Sequence, residues 1–423
     1  MTRRSPRAGR GFTLVELLIG LVVSAITVAA ALSLLLAQKR AFQGSSADRA
    51  LQETGRMALE HISENLRLAG YGIEPPMVFD FGLMANVPMD RAPPIGVPVN
   101  FGGDAAGVSG FACAAPVTCR DHADQPDELA FQYRDPAFNR PLLLANVNSL
   151  VISLVSPITG AVQPLAQPMQ AGQVLQVVCS TGDMVWAYVR VAQQVPVSVN
   201  ANATIPLQAG SNLDYPRQNV TLTNVCYLGG QGSVLQVSRF HYFIQSYDAN
   251  GNVVPWETPG SRPYLMLDQG LLDTNGNPIL SVVAPDVEDL QVTYVVPLAA
   301  AGAQTLGANP GVQLTNSQQG IDLAPALGPP VYSTPTLSPL RATDYPANIR
   351  SVGITIVVRS PNPDPNSTDT TVPAAGNRPA VAGQPGYRRM VFQTSVAVPN
   401  MGSNAPTFPS LGNGANQLNV GGG

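Results

Sequence analysis

Apolar and polar positions divide the chain into one long helix followed by many short strands. From Phe12 to Ala37 the only ionisable side chain is that of Glu16. As a helix this segment would extend roughly 39 Å at about 1.5 Å per residue, long enough to cross a bilayer. Through residues 38–70, apolar residues recur at three- and four-residue spacing, which predicts an amphipathic continuation of the same helix. The members of this stripe are Leu51, Ala58, Leu59, Ile62, Leu66 and Ala69.

After residue 71 the pattern changes to short alternating runs. In the clearest, at 351–359, every second residue is Val or Ile, and these would face one way while Ser351, Thr355 and Arg359 face the other. That alternation predicts a half-buried strand. Further runs lie at 129–133, 234–247, 290–296 and 390–398. Because strands and helices do not alternate regularly, we expect an α+β fold in which the long helix packs on an antiparallel sheet.

These patterns divide the chain into five consecutive segments. They are a leader at 1–11, a transmembrane helix at 12–37, an amphipathic helix at 38–70, a β-rich head at 71–398 and a flexible tail at 399–423. The head is expected to be one body or two lobes, at roughly 76–280 and 281–398. Gly- and Pro-rich stretches at 298–348 and 360–387 predict long loops within it.

Composition supports an exported, loop-rich head. Only 12% of the residues are charged, whereas Gly and Pro contribute 39 each, which favours turns and extended segments over helices. The formal net charge is −4, and without the four arginines of the leader 19 basic residues face 27 acidic ones, which gives −8. A negative balance of this size argues against phosphate-driven binding, so we expect no nucleic-acid partner.

The leader carries Arg3, Arg4, Arg7 and Arg10 and no acidic residue. Basic flanks of membrane segments stay on the cytoplasmic side, so we expect the N-terminus inside and the head across the membrane. An ordinary secretory signal has a shorter apolar region with a small-residue cleavage site after it. Here the small residue, Gly11, precedes the apolar run, so cleavage would leave the apolar helix on the mature chain.

The segment GFTLVELLIG, which begins at Gly11, resembles the junction of prepilins. The resemblance implies that a prepilin peptidase cuts after Gly11 and that the new N-terminal residue, Phe12, is methylated. The alternative is an uncleaved signal anchor that keeps its leader.

Glu16 needs a partner, because an ionisable group inside a membrane segment is costly. The free amine of a new N-terminus has a pKa of about 8 and would be mostly protonated at neutral pH. We expect Glu16 to pair with the Phe12 amine of a neighbouring subunit, the role that the matching glutamate has in pilins. At about 4 Å and an effective dielectric near 20, such a pair gains on the order of 4 kcal/mol before desolvation. The alternative is that Glu16 only benefits from the helix dipole and interfacial water.

Four further segments resemble the PilW group of minor type IV pilins. They are LQETGRMALEHISENLRLAGY, APDVEDLQVTY, NIRSVGITIVVRS and YRRMVFQTSVAVPN, and they lie toward both ends of the chain. The resemblance implies a pilin-like fold and a low-abundance subunit that joins a priming or tip complex and promotes pilus assembly, with surface motility or attachment downstream. Residues 76–280 match less clearly and make the head larger than the group would suggest.

The resemblance also implies partners and a location. The expected partners are the prepilin peptidase, other minor pilins, the major pilin, a large tip adhesin and the inner-membrane assembly platform. The chain would be a single-pass inner-membrane protein before assembly and part of the surface pilus afterwards. Two alternatives stay open, a type II secretion pseudopilin of the J-like kind and a tip-displayed adhesive module.

Motifs for catalysis are not apparent in the sequence. His61, His122 and His241 are far apart and have no metal-site spacing. No nucleophile elbow is present, and no Gly-rich phosphate loop follows a strand and opens a helix. We therefore expect no enzyme activity and no cofactor.

The four cysteines are Cys113, Cys119, Cys179 and Cys226. They form no CxxC pair, and an even number in an exported body predicts two disulfides. Proximity along the chain favours Cys113–Cys119 with Cys179–Cys226, although three connectivities are possible and free thiols are the alternative.

Two segments share the form D-x-N-G-N. They are Asp248, Asn250 and Asn252 around Gly251, and Asp273, Asn275 and Asn277 around Gly276. Asn-Gly favours a hairpin turn, because both residues tolerate positive φ. Oxygen-rich loops also hold calcium, but the twelve-residue ligand spacing is missing, so the hairpin is the preferred interpretation.

Overall fold

The structure, a computed structural model, falls into two compact units, Met1–Gln52 and Glu53–Gly423. The residues that it describes are 13–73, 78–80, 125–146, 148–156, 158–181, 183–208, 232–296, 312–315, 349–364, 367–376 and 378–402. Ten residues singled out by the sequence lie outside these ranges: Arg3, Arg4, Arg7, Arg10, Gly11, Phe12, Cys113, Cys119, His122 and Cys226.

Helix α1 spans Leu14–Leu66 and confirms the predicted long N-terminal helix. It ends four residues before the predicted boundary, because Gly70 and Gly72 in the following turn adopt φ values of 80° and 66°, a left-handed conformation open to glycine. Among the described residues, α1 is the one helix that is long and apolar enough to cross a membrane. Its large apolar side chains from Leu14 to Leu36 are 48–79% exposed.

The head is built from strands that pair antiparallel throughout the described ranges. Their bounds are β1 Phe79–Asp80, β2 Leu129–Asn146, β3 Ser149–Ser153, β4 Val174–Thr181, β5 Asp183–Arg190, β6 Asn202–Pro206, β7 Gly232–Tyr247, β8 Val253–Val254, β9 Arg262–Leu272, β10 Pro278–Pro285, β11 Val287–Val296, β12 Val312–Thr315, β13 Ser351–Arg359, β14 Thr371–Val372, β15 Val381–Ala382 and β16 Arg389–Ala397. A short helix, α2, follows at Pro399–Gly402.

The described strands form three sheets. The largest has ten strands along the path β10-β9-β7-β2-β3-β6, with β1 beside β2, β4 between β5 and β7, and β8 beside β7. The second sheet has the order β12-β11-β13-β16, and the third pairs β14 with β15. Asp286, the single residue between β10 and β11, marks the change from the first sheet to the second. The α+β class is confirmed, whereas the division into two lobes stays a prediction.

The prediction that residues 351–359 form a half-buried strand is wrong. β13 is buried on both faces, because Val357 on its second face packs against Val372 and Ala375, and its polar residues Thr355 and Arg359 are buried with it. The predicted loops contain short strands, β12 in the first and β14 and β15 in the second. The predicted tail begins with α2, whose Met401 is fully buried. Residues 403–423 lie outside the described ranges.

From Glu53 onward, α1 packs its apolar stripe within the head. Ala58, Ile62 and Leu66 are fully buried, whereas Leu59 at the edge of the stripe is half-buried. Gly55 lies so close to the ring of Phe392 on β16 that any Cβ at this position would collide with it. The missing side chain therefore sets how closely the helix approaches the sheet.

Candidate assembly site on the N-terminal helix

Helix α1 begins with reciprocal hydrogen bonds between Thr13 and Glu16. The backbone N–H of Glu16 donates to Thr13 Oγ1 at 3.3 Å, while the backbone N–H and hydroxyl of Thr13 both donate to Glu16 Oε2 at 3.0 Å. The first intrahelical bond runs from Leu17 N to Thr13 O at 3.2 Å. This is a capping box, in which two otherwise unpaired N–H groups at the helix start are satisfied.

The capping box uses one oxygen of the Glu16 carboxylate. Both bonds from Thr13 end on Oε2, and Oε1 makes no hydrogen bond to any described residue. The Glu16 side chain is also exposed. Its second oxygen is thus available to a group from another molecule while the cap stays intact.

The rest of the apolar segment leaves no hydroxyl unpaired. Its Ser and Thr side chains donate to backbone carbonyls about one turn earlier, as hydroxyls in apolar helices do. The bonds are Ser24 to Gly20 at 2.5 Å, Thr27 to Val23 at 3.0 Å and Ser33 to Ala30 at 2.8 Å. Glu16 remains the only ionisable group from Thr13 to Ala37.

Sequence reasoning found Glu16 but missed Thr13. The signal was present, because Thr13-x-x-Glu16 before an apolar run is the spacing of a capping box. Gly11 and Phe12 lie outside the described residues, so cleavage, methylation and pairing with the Phe12 amine stay predictions.

A polar contact anchors the second half of α1 to β7. Asn65 Nδ2 donates to the hydroxyl of Tyr242 at 3.0 Å, and that hydroxyl lies 3.1 Å from His61 Nδ1. The rings of His61 and Tyr242 meet edge to face, with centroids 5.8 Å apart. Burial raises the pKa of Tyr242, so the phenol stays neutral.

The turn that follows α1 forms hydrogen bonds with residues far along the chain. Asn400 Nδ2 lies 3.2–3.4 Å from the carbonyl oxygens of Arg67, Leu68 and Ala69. Gly70 N donates to Gln132 O on β2 at 3.0 Å. These bonds fix the turn that follows α1 to both α2 and β2.

Both D-x-N-G-N segments form the hairpin turns that the sequence favoured. Asp248 Oδ1 accepts the backbone N–H groups of Asn250 and Asn252 at 2.9 and 2.8 Å between β7 and β8. Between β9 and β10, Asp273 Oδ1 accepts those of Asn275 and Asn277, both at 2.8 Å. Hydrogen bonds from Asn252 and Asn277 lower the pKa values of the two carboxyls. The turn geometry therefore uses the oxygens that calcium would need.

The second sheet contains a buried ion pair that the sequence analysis missed. Arg378 Nε and Nη2 donate to Asp289 Oδ2 at 2.8 and 2.6 Å, and neither side chain is exposed. Arg378 Nη2 and Nη1 also donate to the carbonyls of Pro373 and Pro379, both at 2.8 Å. Gln291 Nε2 donates to Asp289 Oδ1 at 3.1 Å. The pair fastens the segment after β13 to β11.

A second buried group surrounds Glu288, the neighbour of Asp289 on β11. Arg389 Nε and Nη2 donate to its two carboxylate oxygens at 2.6 and 2.9 Å, and Arg359 Nη1 lies 3.6 Å from Oε1. The Arg359 guanidinium also lies 4.2 Å from the ring centroid of Tyr387. The sequence feature that could have revealed this group is the pair of acidic residues, Glu288 and Asp289, inside an apolar strand. The matching arginines stand at the end of β13 and at the start of β16.

Glu257, in the turn after β8, is a further member of the buried charged group around Glu288. Its Oε2 accepts the backbone N–H of Gln384 at 2.7 Å, and its backbone has a φ of 58°. Burial, together with the negative charge of Glu288, raises the pKa of Glu257 to about 7. Glu257 therefore titrates near neutral pH.

Among the described residues, the remaining candidates do not converge on a site. His61 lies on α1, whereas His241 on β7 bonds Glu128 at 2.7 Å. Cys179 lies on β4, away from the other cysteines in sequence. Within the described ranges, no group of three or more His, Cys, Asp or Glu residues is arranged to hold a metal ion.

Comparison with known proteins gives two family matches. Residues 241–400 match the family model of type IV pilus-assembly protein W, and residues 6–32 match that of the prokaryotic N-terminal methylation motif. No curated protein and no solved structure matches the chain. The two families consist of pilus structural and assembly proteins rather than enzymes. The matches confirm the resemblance read from the sequence and support a type IV pilus-related minor pilin.

Proposed function

We propose that this chain is a minor type IV pilin that joins a priming or tip complex and promotes pilus assembly. The observation that carries the proposal is the geometry of Glu16, the single ionisable group of the exposed apolar segment Thr13–Ala37. Its Oε2 caps its own helix while Oε1 is available to a cation from a neighbouring subunit. In the pilus, that cation is the methylated amine of Phe12, formed when the prepilin peptidase cuts after Gly11.

The pairing sets the axial register of one helix against the next. Placing an unpaired carboxylate in apolar surroundings costs desolvation free energy. A helix that slips out of register loses the ion pair, so this desolvation cost is no longer offset. At about 4 Å and an effective dielectric near 20, the pair gains on the order of 4 kcal/mol before desolvation. Because Glu16 also caps the helix through Thr13, its carboxylate is held in place before a neighbour arrives.

The subunit follows the route of other prepilins. The arginine-rich leader stays in the cytoplasm, α1 crosses the inner membrane, and the head lies outside. Other minor pilins, the major pilin and the inner-membrane assembly platform are its partners, and a large tip adhesin is a further one. Surface motility or attachment follows from the pilus that it helps to start.

Two variants separate pairing from capping. Glu16→Gln removes the charge but keeps an acceptor that serves a capping box equally well, whereas Thr13→Ala removes the cap and keeps the charge. Each is expressed in cells lacking the natural chain, and leader removal is followed by the mass of the mature N-terminus. We expect both to be processed, and Glu16→Gln to lower the amount in sheared filaments about tenfold. Thr13→Ala should stay near the natural level; the opposite ranking would make Glu16 a helix cap only.

Deletion of the gene tests the assembly role itself. Loss of surface pili and of twitching, restored by the natural chain, is expected. Intact pili with lost export of secreted proteins would instead identify a type II secretion pseudopilin. Intact pili with lost attachment would identify an adhesive module.

A further inference from the structure

The turn between β8 and β9 is bonded to the segment that joins β13 to β16. We call the turn, residues 255–261, the latch turn and the joining segment, residues 360–388, the cover segment. Gly260 N donates to Gln384 Oε1 at 3.2 Å, and Gln384 Nε2 donates to Thr258 O at 2.9 Å. One amide side chain of the cover segment thus holds the latch turn through both a donor and an acceptor.

Glu257 occupies a strained position in the latch turn. Thr258 N donates to Pro255 O at 3.2 Å, which closes a four-residue turn, and Glu257 at its third position has a φ of 58°. Glycine favours this conformation, because a Cβ is unfavourable there. A glutamate that keeps a strained backbone must be held by the contacts of its side chain.

The carboxyl group of Glu257 makes two contacts outside its own turn. Its Oε2 accepts the backbone N–H of Gln384 in the cover segment at 2.7 Å. The same carboxyl group forms a side-chain hydrogen bond with Glu288 on β11. Two carboxyl groups in contact share a proton, because both cannot be charged without strong repulsion. The junction of the latch turn with β11 and the cover segment therefore contains one dissociable proton.

Charged groups from three further segments surround this pair of carboxyl groups. Arg389 at the start of β16 donates to both oxygens of Glu288 at 2.6 and 2.9 Å, and Arg359 at the end of β13 lies 3.6 Å from it. Asp369 of the cover segment lies 3.9 Å from Arg389 Nη1. With Glu257 protonated, two positive charges balance two negative ones. Ionisation of Glu257 leaves one negative charge in excess.

The proton leaves this junction near neutral pH. Burial and the negative charge of Glu288 raise the pKa of Glu257 to about 7, although the positive charge of Arg359 acts in the opposite direction. The ordinary pKa of a glutamate is 4.5. Rising pH therefore favours a state in which the Glu257 carboxylate has left Glu288 for water.

Trp256, the neighbour of Glu257, attaches the latch turn to the interior of the head. Its Nε1 donates to Glu288 O at 2.7 Å, and the guanidinium of Arg378, which is paired with Asp289, lies 5.9 Å from its ring centroid. The ring also packs on a small buried cluster that joins β13 to the cover segment. The members of that cluster are Val357, Val372 and Ala375.

We propose that the latch turn is a pH-dependent latch, closed on the cover segment while Glu257 and Glu288 share a proton and open when both are ionised. Opening carries Trp256 toward solvent and breaks the contacts of Gln384. The strained φ of Glu257 favours opening once its side-chain contacts are lost. β8 has only two residues, so little strand pairing holds the turn from its other side.

The latch belongs to the head alone. It uses neither Glu16 nor the apolar helix, so it goes beyond the assembly role and does not depend on it. Its physical effect is to loosen the cover segment over β11 and β13 as pH rises, while the sheets themselves stay folded.

The test follows Trp256 in the full-length protein, held in lipid nanodiscs that cover the apolar helix. The chain has two tryptophans, so Trp186→Phe leaves Trp256 as the single reporter. Acrylamide, an uncharged quencher, measures the accessibility of the indole at about pH 5 and about pH 8.5, on either side of the pKa of Glu257. Quenching should be greater at the higher pH. Hydrogen-exchange protection of the Gly260 and Gln384 amides, relative to their intrinsic rates, should fall about tenfold over the same interval.

Two substitutions at Glu257 separate its charge from its backbone conformation. Glu257→Gln keeps an acceptor and cannot ionise, so the latch should stay closed at both pH values. Glu257→Gly suits the positive φ better but removes the carboxyl group, so the latch should be open at both. The control Glu53→Gln, on the exposed face of α1, should behave like the natural residue.

Three results would overturn the proposal. They are quenching that does not change with pH when Glu257 is present, an equal change in Glu257→Gln, and a closed latch in Glu257→Gly. A parallel loss of far-ultraviolet circular dichroism would also overturn it, because the whole head would then be unfolding rather than the latch turn opening.

Discussion

Arg378 places two donors on one carboxylate oxygen of Asp289, at 2.8 and 2.6 Å, where neither side chain reaches solvent. The pair joins β11 to the segment before β16, beside the buried apolar contacts of Val357 with Val372 and Ala375. Removing one partner would leave the other charge buried and unpaired, which is far more costly than losing an exposed ion pair.

Asp289→Ala should therefore destabilise the head by about 3–5 kcal/mol. The control is Asp364→Ala, which breaks the partly exposed pair with Arg388 at 2.8 Å and should cost about 0–1 kcal/mol. Denaturant unfolding of both variants measures the difference. Equal costs would mean that the Asp289–Arg378 pair is solvated in solution.

Glu257 should make the stability of the head depend on pH. Its folded pKa, about 7, lies above its ordinary value of 4.5, so the folded state holds the proton more tightly. The stabilisation is complete below the ordinary pKa and is lost as pH rises through about 7. The unfolding midpoint of the natural protein should fall between pH 5 and about pH 8.5.

Glu257→Gln, which retains an acceptor for the Gln384 N–H, should show a smaller fall over the same interval. The matched control is Glu53→Gln on the exposed face of α1, which should leave the pH dependence as it is. A Glu257→Gln curve parallel to that of the natural protein would contradict the assignment.

Gly55→Leu should loosen the packing of α1 on the head. Leucine is a better helix former than glycine, so any loss must come from its collision with Phe392. Overpacking of this kind typically costs about 1–3 kcal/mol. The added change Phe392→Ala should recover part of the loss, as measured by thermal unfolding; no recovery would place the strain elsewhere.

Tyr242→Phe should cost about 1–3 kcal/mol, because Asn65 and His61 lose the hydroxyl that both contact. The control Tyr71→Phe alters a ring that is 43% exposed and should be nearly neutral. Denaturant unfolding compares the two. A neutral Tyr242→Phe would indicate that water replaces the hydroxyl.

Calcium should not bind the two Asn-Gly turns, because Asp248 and Asp273 already accept amide hydrogens from their own turns. Calorimetric titration of the full-length protein in nanodiscs should give no heat beyond dilution. A saturable heat that disappears in Asp248→Asn or Asp273→Asn would restore the calcium interpretation.

The sequence determined the parts of this protein that depend on local pattern. The ionisable-free run around Glu16 predicted α1, since an apolar stretch of that length has few other stable forms. Asn-Gly predicted the two hairpin turns, because positive φ is a property of the residues themselves. The capping box likewise follows from a local pattern, because Thr13 and Glu16 are three residues apart at the start of the apolar run.

Only the tertiary structure decided which charged side chains of the head are buried and which of them pair with each other. Alternation at 351–359 predicted a half-buried strand with Arg359 in water, but burial depends on what covers the second face. That face is covered, and Arg359 lies within 3.6 Å of Glu288, a residue 71 positions away. Likewise, no local pattern reports that Asn400 contacts the carbonyl oxygens of the turn that follows α1. These contacts join distant parts of the chain, so their physical basis exists only after folding.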